Sequence, residues 1–263
     1  MNNTEYNFDA AKITDEVVQW IRNWINENGN SETKVIVGVS GGKDSSVVSA
    51  LMVRALGTER VIGIMMPNGV QKDISDSQTL VNHLKIKNYT VNIEQAYDGI
   101  RSAFTNAGLS ETNDGFSPVF KTNTPARLRM TTLYGAAAQT GNCRVVNTCN
   151  LSEDLVGYST FYGDAAGDFA PLNKLTTEEV VAIGDYLGLP SSLTHKAPSD
   201  GMCGKTDEDN LGFTYHEVNE LARRNIHGSN YEKIIAKYKA NLFKVKIIDL
   251  PCYRPDLPLF LDI

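Results

Sequence analysis

The chain is poor in the features that mark a membrane protein, a disulfide scaffold or a nucleic-acid binder. No apolar run in its 263 residues approaches the ~18 that a spanning helix needs. The N-terminus, MNNTEYNFDAAKITDEVVQWI, has neither the basic stretch nor the apolar segment of a secretory leader. Cysteine occurs only at 143, 149, 203 and 252, with no C-x-x-C pair and no histidine at matched spacing. Neither zinc nor a redox motif is expected, and the thiols should be reduced and mostly buried. Positive charge is short as well: 25 Lys and Arg against 31 Asp and Glu leave a net charge of −6. A nucleic-acid backbone is therefore excluded as the main partner, because such binding is driven by clustered cations. No repeat and no low-complexity linker divides the chain. With 41% hydrophobic and 21% charged residues, it reads as an ordinary globular protein, soluble and cytoplasmic, long enough for a substantial core.

What is present is an alternation of strand and helix. Ile13, Val17, Trp20, Ile21, Trp24 and Ile25 recur at helical spacing before Gly29, which predicts an amphipathic first helix. Lys34 to Val39 is a β-branched run suited to a strand buried on both faces. Lys43 to Leu56 has a helical pattern ended by Gly57, and Val61 to Met66 is the next strand, closed by Pro-Asn-Gly. Together they make a right-handed βαβ unit that starts a parallel sheet. Further on we expect a helix at Thr79–Leu84, a strand at Tyr89–Ile93, a helix from about Ala126 to Gln139, a strand in RVVNTCN, and a helix opened by a capping box at Thr176 and Glu179. The predicted fold is α/β, a single doubly wound parallel sheet flanked by helices, in one domain over residues 1–263.

The stretch VIVGVSGGKDSSVVSAL, from Val35, carries the chemistry. A Walker loop needs G-x-x-x-x-G-K-[ST], but Gly38 and Gly42 enclose three residues and Asp44 follows Lys43. A strand, a glycine turn and a helix N-terminus still make an anion site, since first-turn amides lack partners and the helix dipole favours negative charge. Ser40, Ser45 and Ser46 add hydroxyl donors and Lys43 a point charge. Asp44 would repel phosphate unless a divalent cation lay between, and magnesium suits that role.

SGGKDS resembles the SGGxDS signature of the N-type ATP pyrophosphatases, which attack the α-phosphate of ATP and release pyrophosphate. Farther along, MPNGVQKDISDSQ, NTPARLRM, RVVNTCNLSED, FYGDAAGDFAPLNKLTTEEV and KAPSDGMCGKTDEDNLGFTYHEV are similar, in order and near spacing, to segments of the ammonia-dependent NAD synthetases. The resemblance implies an adenine nucleotide alpha hydrolase-like fold, a homodimer, and amidation of deamido-NAD by ammonia through an adenylated carboxylate, with ATP as co-substrate and Mg²⁺ as cofactor. It also implies roles for individual residues. Gly38, Val39, Ser40, Gly41, Gly42, Lys43, Asp44 and Ser45 would hold ATP, with Thr148 and Ser199. Asp44 and Glu153 would bind magnesium. Asn123, Arg127, Asp168 and Lys244 would contact the dinucleotide, and Asp164 would orient ammonia or take its proton. Arg127 and Arg129 lie roughly 200° apart on a helix, so only one can grip a given ligand; Arg127 is assigned to substrate. Tyr158, Phe161 and Tyr162 suit stacking on flat bases or plain core packing.

Three cations that the resemblance calls for are missing: Phe161 and Thr177 stand where lysines are usual, and Phe243-Lys244-Val245 replaces a His-Lys-Arg turn. Lys174 and Lys205 are the available substitutes. The rival readings are another ATP pyrophosphatase, such as a GMP synthetase-like amidase, and a nucleotide-sensing module without chemistry. Ser191 to Tyr215, rich in Gly, Ser, Asp and Lys, reads either as a surface excursion or as a lid with pivots at Gly201, Gly204 and Gly212.

Overall fold

A computed structural model describes residues 6–71, 73–110, 115–196 and 206–261. Helix α1 (Ala10–Asn28), capped by the Asp9 side chain, leads into β1 (Lys34–Gly38) and α2 (Lys43–Leu56). Strand β2 (Val61–Met65), α3 (Ile74–Leu84), β3 (Lys87–Thr90), α4 (Glu94–Asn106), α5 (Pro118–Thr140) and β4 (Cys143–Val146) follow. Among the described residues that follow, the regular elements are helices: α6 (Leu151–Val156), α7 (Thr177–Tyr186), α8 (Ser191–Thr194), α9 (Asp207–Leu211), α10 (Tyr215–Arg224) and α11 (Tyr231–Ile247).

The four strands are parallel in the order β3-β2-β1-β4. Strand β1 is central, with Val35 registered against Val61 on one side and Arg144 on the other. Its side chains alternate as the pleat requires. Val35 and Val37 face a core built with α1, α2 and α7, whereas Ile36 packs with Met130 and Leu133 of α5 on the opposite face. Helices thus cover both faces, as a parallel sheet demands. A third apolar cluster joins α6 to α10 and α11. The chain moves outward from β1 through β2 to β3, then returns to place β4 on the other flank of β1. The strand order reverses between β1 and β4, and their carboxyl ends open the crevice where such sheets bind ligands.

Several elements differ from the sequence-based expectation. Helix α3 begins at Ile74, not Thr79. Strand β3 ends at Thr90, although the amides of Val91 and Ile93 still donate to Met65 and Pro67 at 2.8 and 2.9 Å. Helix α5 starts at Pro118, with Ser117 capping the Phe120 amide at 3.2 Å, so Pro125 lies inside the helix instead of preceding it. Pro118 fits the first helical position, where its missing N–H would have no partner, whereas Pro125, two turns in, has no N–H to donate to the Lys121 carbonyl and interrupts the ladder there. The expected excursion at 191–215 contains α8 and α9; the assigned Ser199, the substitute Lys205 and the pivots Gly201 and Gly204 lie outside the described residues.

Candidate active site

The loop between β1 and α2 is fixed by close packing. The Val39 amide donates to Ile64 at 2.9 Å, which carries the strand pairing one residue past β1. Gly41 has φ +79°, and a Cβ there would sit 2.7 Å from the Ser77 amide nitrogen and 2.8 Å from Asp76 Cβ. Only glycine allows the loop to lie on the first turn of α3. The Ser40 and Ser45 hydroxyls are 3.0 Å apart, the Gly42 amide donates to Ser40 Oγ at 3.2 Å, and the Ser46 hydroxyl donates to the Gly42 carbonyl at 2.7 Å. The loop is therefore shaped before any anion arrives.

Asp44 and Glu153 converge at the crevice. Lys43 Nζ lies 2.9 Å from Asp44 Oδ2 and 3.9 Å from Glu153 Oε1, and the two acidic side chains are only 17% and 16% exposed. Burial opposes the Lys43 ammonium, but Asp44, Glu153 and Asp207 outweigh it and hold its pKa above the ordinary value. Desolvation, then the Asp44 charge, pushes the Glu153 carboxyl well up, against the pull of Lys43. Asn150, fully buried, ties the pair together: its amide donates to Asp44 Oδ1 at 2.9 Å while its oxygen accepts from the Glu153 amide at 3.1 Å, capping α6. Two buried carboxylates therefore share one ammonium. That acid excess fits a hard divalent cation, and although no group of three or more His, Cys, Asp or Glu is disposed as a cage among the described residues, magnesium needs only one or two carboxylates when phosphate completes its sphere.

A second group gathers around Gly157–Asp164. Asn147, at the end of β4, donates to the carbonyls of Asp164 and Ala166 at 2.9 and 3.0 Å and accepts from the Cys149 amide at 2.8 Å. Asp164 is open to solvent yet surrounded by protein mass, as a group in a cleft is. Its Oδ1 accepts from the Thr160 amide at 2.9 Å, and desolvation raises its pKa against that bond. Asn123 Oδ1 accepts from the Thr160 hydroxyl at 3.1 Å, Arg127 Nε donates to the Phe161 carbonyl at 3.1 Å, and Lys244 Nζ donates to Gly157 and Ser159 at 2.8 and 3.0 Å. Three of the four residues assigned to substrate thus grip one segment. Gly157, with φ +64°, lies against Asn241 of α11 and leaves no room for a Cβ.

Asp168 is engaged elsewhere: its carboxylate accepts from the Val145 amide at 2.8 Å and the Tyr134 hydroxyl at 3.0 Å, closing the outer edge of β4. Thr148 lies in the turn from β4 to α6 and is half-buried. Arg129 turns away from Arg127 and donates to the Met66 carbonyl at 3.0 Å. Where cations are missing, the space is used otherwise. Phe161 packs with Tyr162 and Phe243, at centroid distances of 4.0 and 6.4 Å. Thr177 closes a buried ring in which its amide donates to Ser152 Oγ, Ser152 donates to Asn219 Oδ1, and Asn219 donates back to the Thr177 hydroxyl. Lys174 is buried, and desolvation lowers its pKa. Sequence reasoning missed Asn147 and Asn150; the signal for the latter was an asparagine three residues before Glu153 at a strand-to-helix turn.

The family profile of NAD synthase matches residues 13–249. Over 214 residues the chain is 36% identical to the NH₃-dependent NAD⁺ synthetase of Pyrococcus furiosus, an alignment covering 81% of this chain and 77% of that one. Among solved structures it is similar to the NMN synthetase of Francisella tularensis, with TM-score 0.80, 32% identity and coverage of 95% of this chain and 100% of that one. The NH₃-dependent NAD synthetase of Campylobacter jejuni subsp. jejuni NCTC 11168 gives TM-score 0.71 and 30% identity, covering 93% and 99%.

Proposed function

The chain belongs to the NAD synthase family, and from that membership we propose that it amidates deamido-NAD to NAD with ATP and ammonia, releasing AMP and pyrophosphate. The observation that carries this reading is the meeting of Asp44 and Glu153 around Lys43, directly behind a preformed phosphate loop. The loop amides and serine hydroxyls bind the polyphosphate, and Lys43 adds a point charge. Asp44 and Glu153 would hold magnesium, which when bound neutralises the charge growing on the leaving pyrophosphate. A carboxylate oxygen of the substrate attacks the α-phosphorus, the bond to the bridging oxygen breaks, and an acyl adenylate remains. Ammonia then attacks the acyl carbon and AMP leaves. Asp164, whose raised pKa suits a proton acceptor, takes the proton that ammonia sheds, while Asn123, Arg127 and Lys244 hold the surrounding segment and offer their remaining donors to the substrate. Residues 1–263 form one catalytic domain in this reading.

The test is release of pyrophosphate and AMP, with formation of NAD, by the purified chain given ATP, magnesium, ammonium and deamido-NAD. ATP turnover independent of the acceptor would refute it. Two observations favour a second acceptor: Phe161 and Phe243, which pack together at 6.4 Å, stand where the resemblance calls for cations, and the chain is similar to an NMN synthetase with TM-score 0.80. Nicotinic acid mononucleotide, amidated by the same chemistry, is that acceptor, and kcat/KM measured for both acids decides between them.

A homodimer belongs to the same reading. Helix α4 buries no residue, the 23-residue α5 buries only Pro125, Met130 and Leu133, and Phe104, Val119 and Tyr134 along them and Leu109 in the turn after α4 are exposed. Light scattering should give twice the mass of one chain. We place the protein in the cytoplasm, where ATP is available and the free thiols of Cys143, Cys149 and Cys252 stay reduced.

A further inference from the structure

Tyr215 opens α10 and packs in one apolar cluster with Leu151, Leu155 and Val156 of α6, the helix that carries Glu153. It is 3% exposed, and its hydroxyl has no hydrogen-bond partner among the described residues. A buried donor left unmatched is costly, so such groups call for an explanation. Burial, followed by the fields of Glu153 and Asp207, keeps the phenol protonated, with Tyr158 and Asp44 next in effect. The hydroxyl is therefore a donor set among the carboxylates at the crevice. Asp207, the first residue of α9, is buried too, and its field reaches Lys43 and Glu153 as well as Tyr215.

We propose that the Tyr215 hydroxyl is a positioning group for the pyrophosphate chemistry, donating a hydrogen bond to a phosphate oxygen of the nucleotide whose magnesium Asp44 and Glu153 would hold, with Asp207 completing the acidic wall of that pocket. The inference rests on the reading of Asp44 and Glu153 as the metal pair. A phosphate oxygen is the acceptor such a donor requires, because it keeps negative charge and free lone pairs after binding a cation, whereas a metal-bound water gives its lone pair to the cation and turns its hydrogens outward as donors.

The variant is Tyr215→Phe, which keeps the ring and its packing against the α6–α10 cluster. Manganese stands in for magnesium, and its binding is followed by electron paramagnetic resonance with and without pyrophosphate. Because the hydroxyl has no partner in the free chain, the variant's melting temperature without ligand should equal or exceed that of the wild type. Affinity for manganese pyrophosphate should fall about tenfold, the loss expected for a hydrogen bond to a charged group. The fall should appear only with pyrophosphate present; an equal fall with manganese alone means that the acceptor is not phosphate and overturns the proposal. Unchanged affinity in both arms, or a lowered melting temperature in the free chain, overturns the proposal. Glu153→Gln is the control: if it leaves manganese binding intact, the metal pair itself is wrong. If it abolishes binding while Tyr215→Phe does nothing, only the role of Tyr215 fails.

Discussion

Arg223→Met should be among the most damaging single changes in this chain outside the crevice. Arg223 and Glu179 are 3% and 1% exposed, so their pairing takes place out of water. The guanidinium donates twice to the carboxylate, Nε to Oε1 at 2.7 Å and Nη2 to Oε2 at 2.8 Å, and also to the carbonyls of Lys174 and Pro258 at 2.6 and 3.2 Å. Removing it strands a buried carboxylate, which retains only the Tyr6 hydroxyl at 3.2 Å and the Thr176 amide at 2.7 Å. Breaking a buried pair in this one-sided way costs about 3–5 kcal/mol. At roughly 2–4 °C per kcal/mol for a domain near this size, the melting temperature should drop by about 6–20 °C. Replacing both partners by apolar residues should recover much of the loss, short of the ~1 kcal/mol that Glu179 contributes by capping α7. Calorimetry on the two single variants and the double variant gives the coupling directly. A single-variant cost below about 1 kcal/mol, or strict additivity in the cycle, would refute the argument. The pair matters for function because it anchors α10, and with it Tyr215, against α7.

Asp44→Asn and Glu153→Gln should each slow pyrophosphate release by on the order of 10²–10³-fold while weakening ATP binding far less; normal turnover at limiting magnesium would remove that residue from the metal pair. Asp154 is pushed up to about 7, mainly by desolvation and against the pull of Lys174. Its folded pKa is thus raised, so the stability it contributes is complete below the unfolded value of roughly 3.9 and is lost as pH rises through about 7. Asp154→Asn should therefore gain on the wild type across that window in urea titrations, and a constant difference from pH 4 to 7 would contradict this. Cys149 is buried, its Sγ donates to the Asp164 carbonyl at 3.3 Å, and desolvation holds its pKa well above the ordinary value. It should resist alkylation in the native chain and react only on unfolding, as mass spectrometry of labelled peptides would record.

The phosphate loop was legible because its determinants are adjacent: a β-branched run, two glycines and an apolar helix specify strand, turn and helix within one short segment. The capping box at Thr176 and Glu179 is local in the same way, and both of its hydrogen bonds form. Asn150 was not legible as a positioning residue, because its bond to Asp44 joins residues 106 positions apart. Helix α4 escaped although Tyr97, Ile100 and Phe104 recur along it at helical spacing; the stripe is only three residues long and none of them is buried. The start of α5 was misplaced because Pro125 reads locally as a boundary. Asp164 was recognised through its motif, but what fixes it is Asn147, whose two donors reach across a turn that the linear sequence does not display.

The ammonium of Lys43 acts as a counter-ion built into the chain. Two acids facing one another in a crevice would repel, and the lysine beside them, 2.9 Å from Asp44 and 3.9 Å from Glu153, offsets that repulsion without help from the medium. A divalent ion arriving alone has to evict that ammonium, exchanging one cation for another and leaving the lysine with no anion to neutralise it. An ion that arrives on a polyphosphate brings the missing anion with it, so that metal and lysine are both matched at once. In the proposed reading the crevice is therefore an ion exchanger that would favour the loaded nucleotide over the free metal, with three side chains.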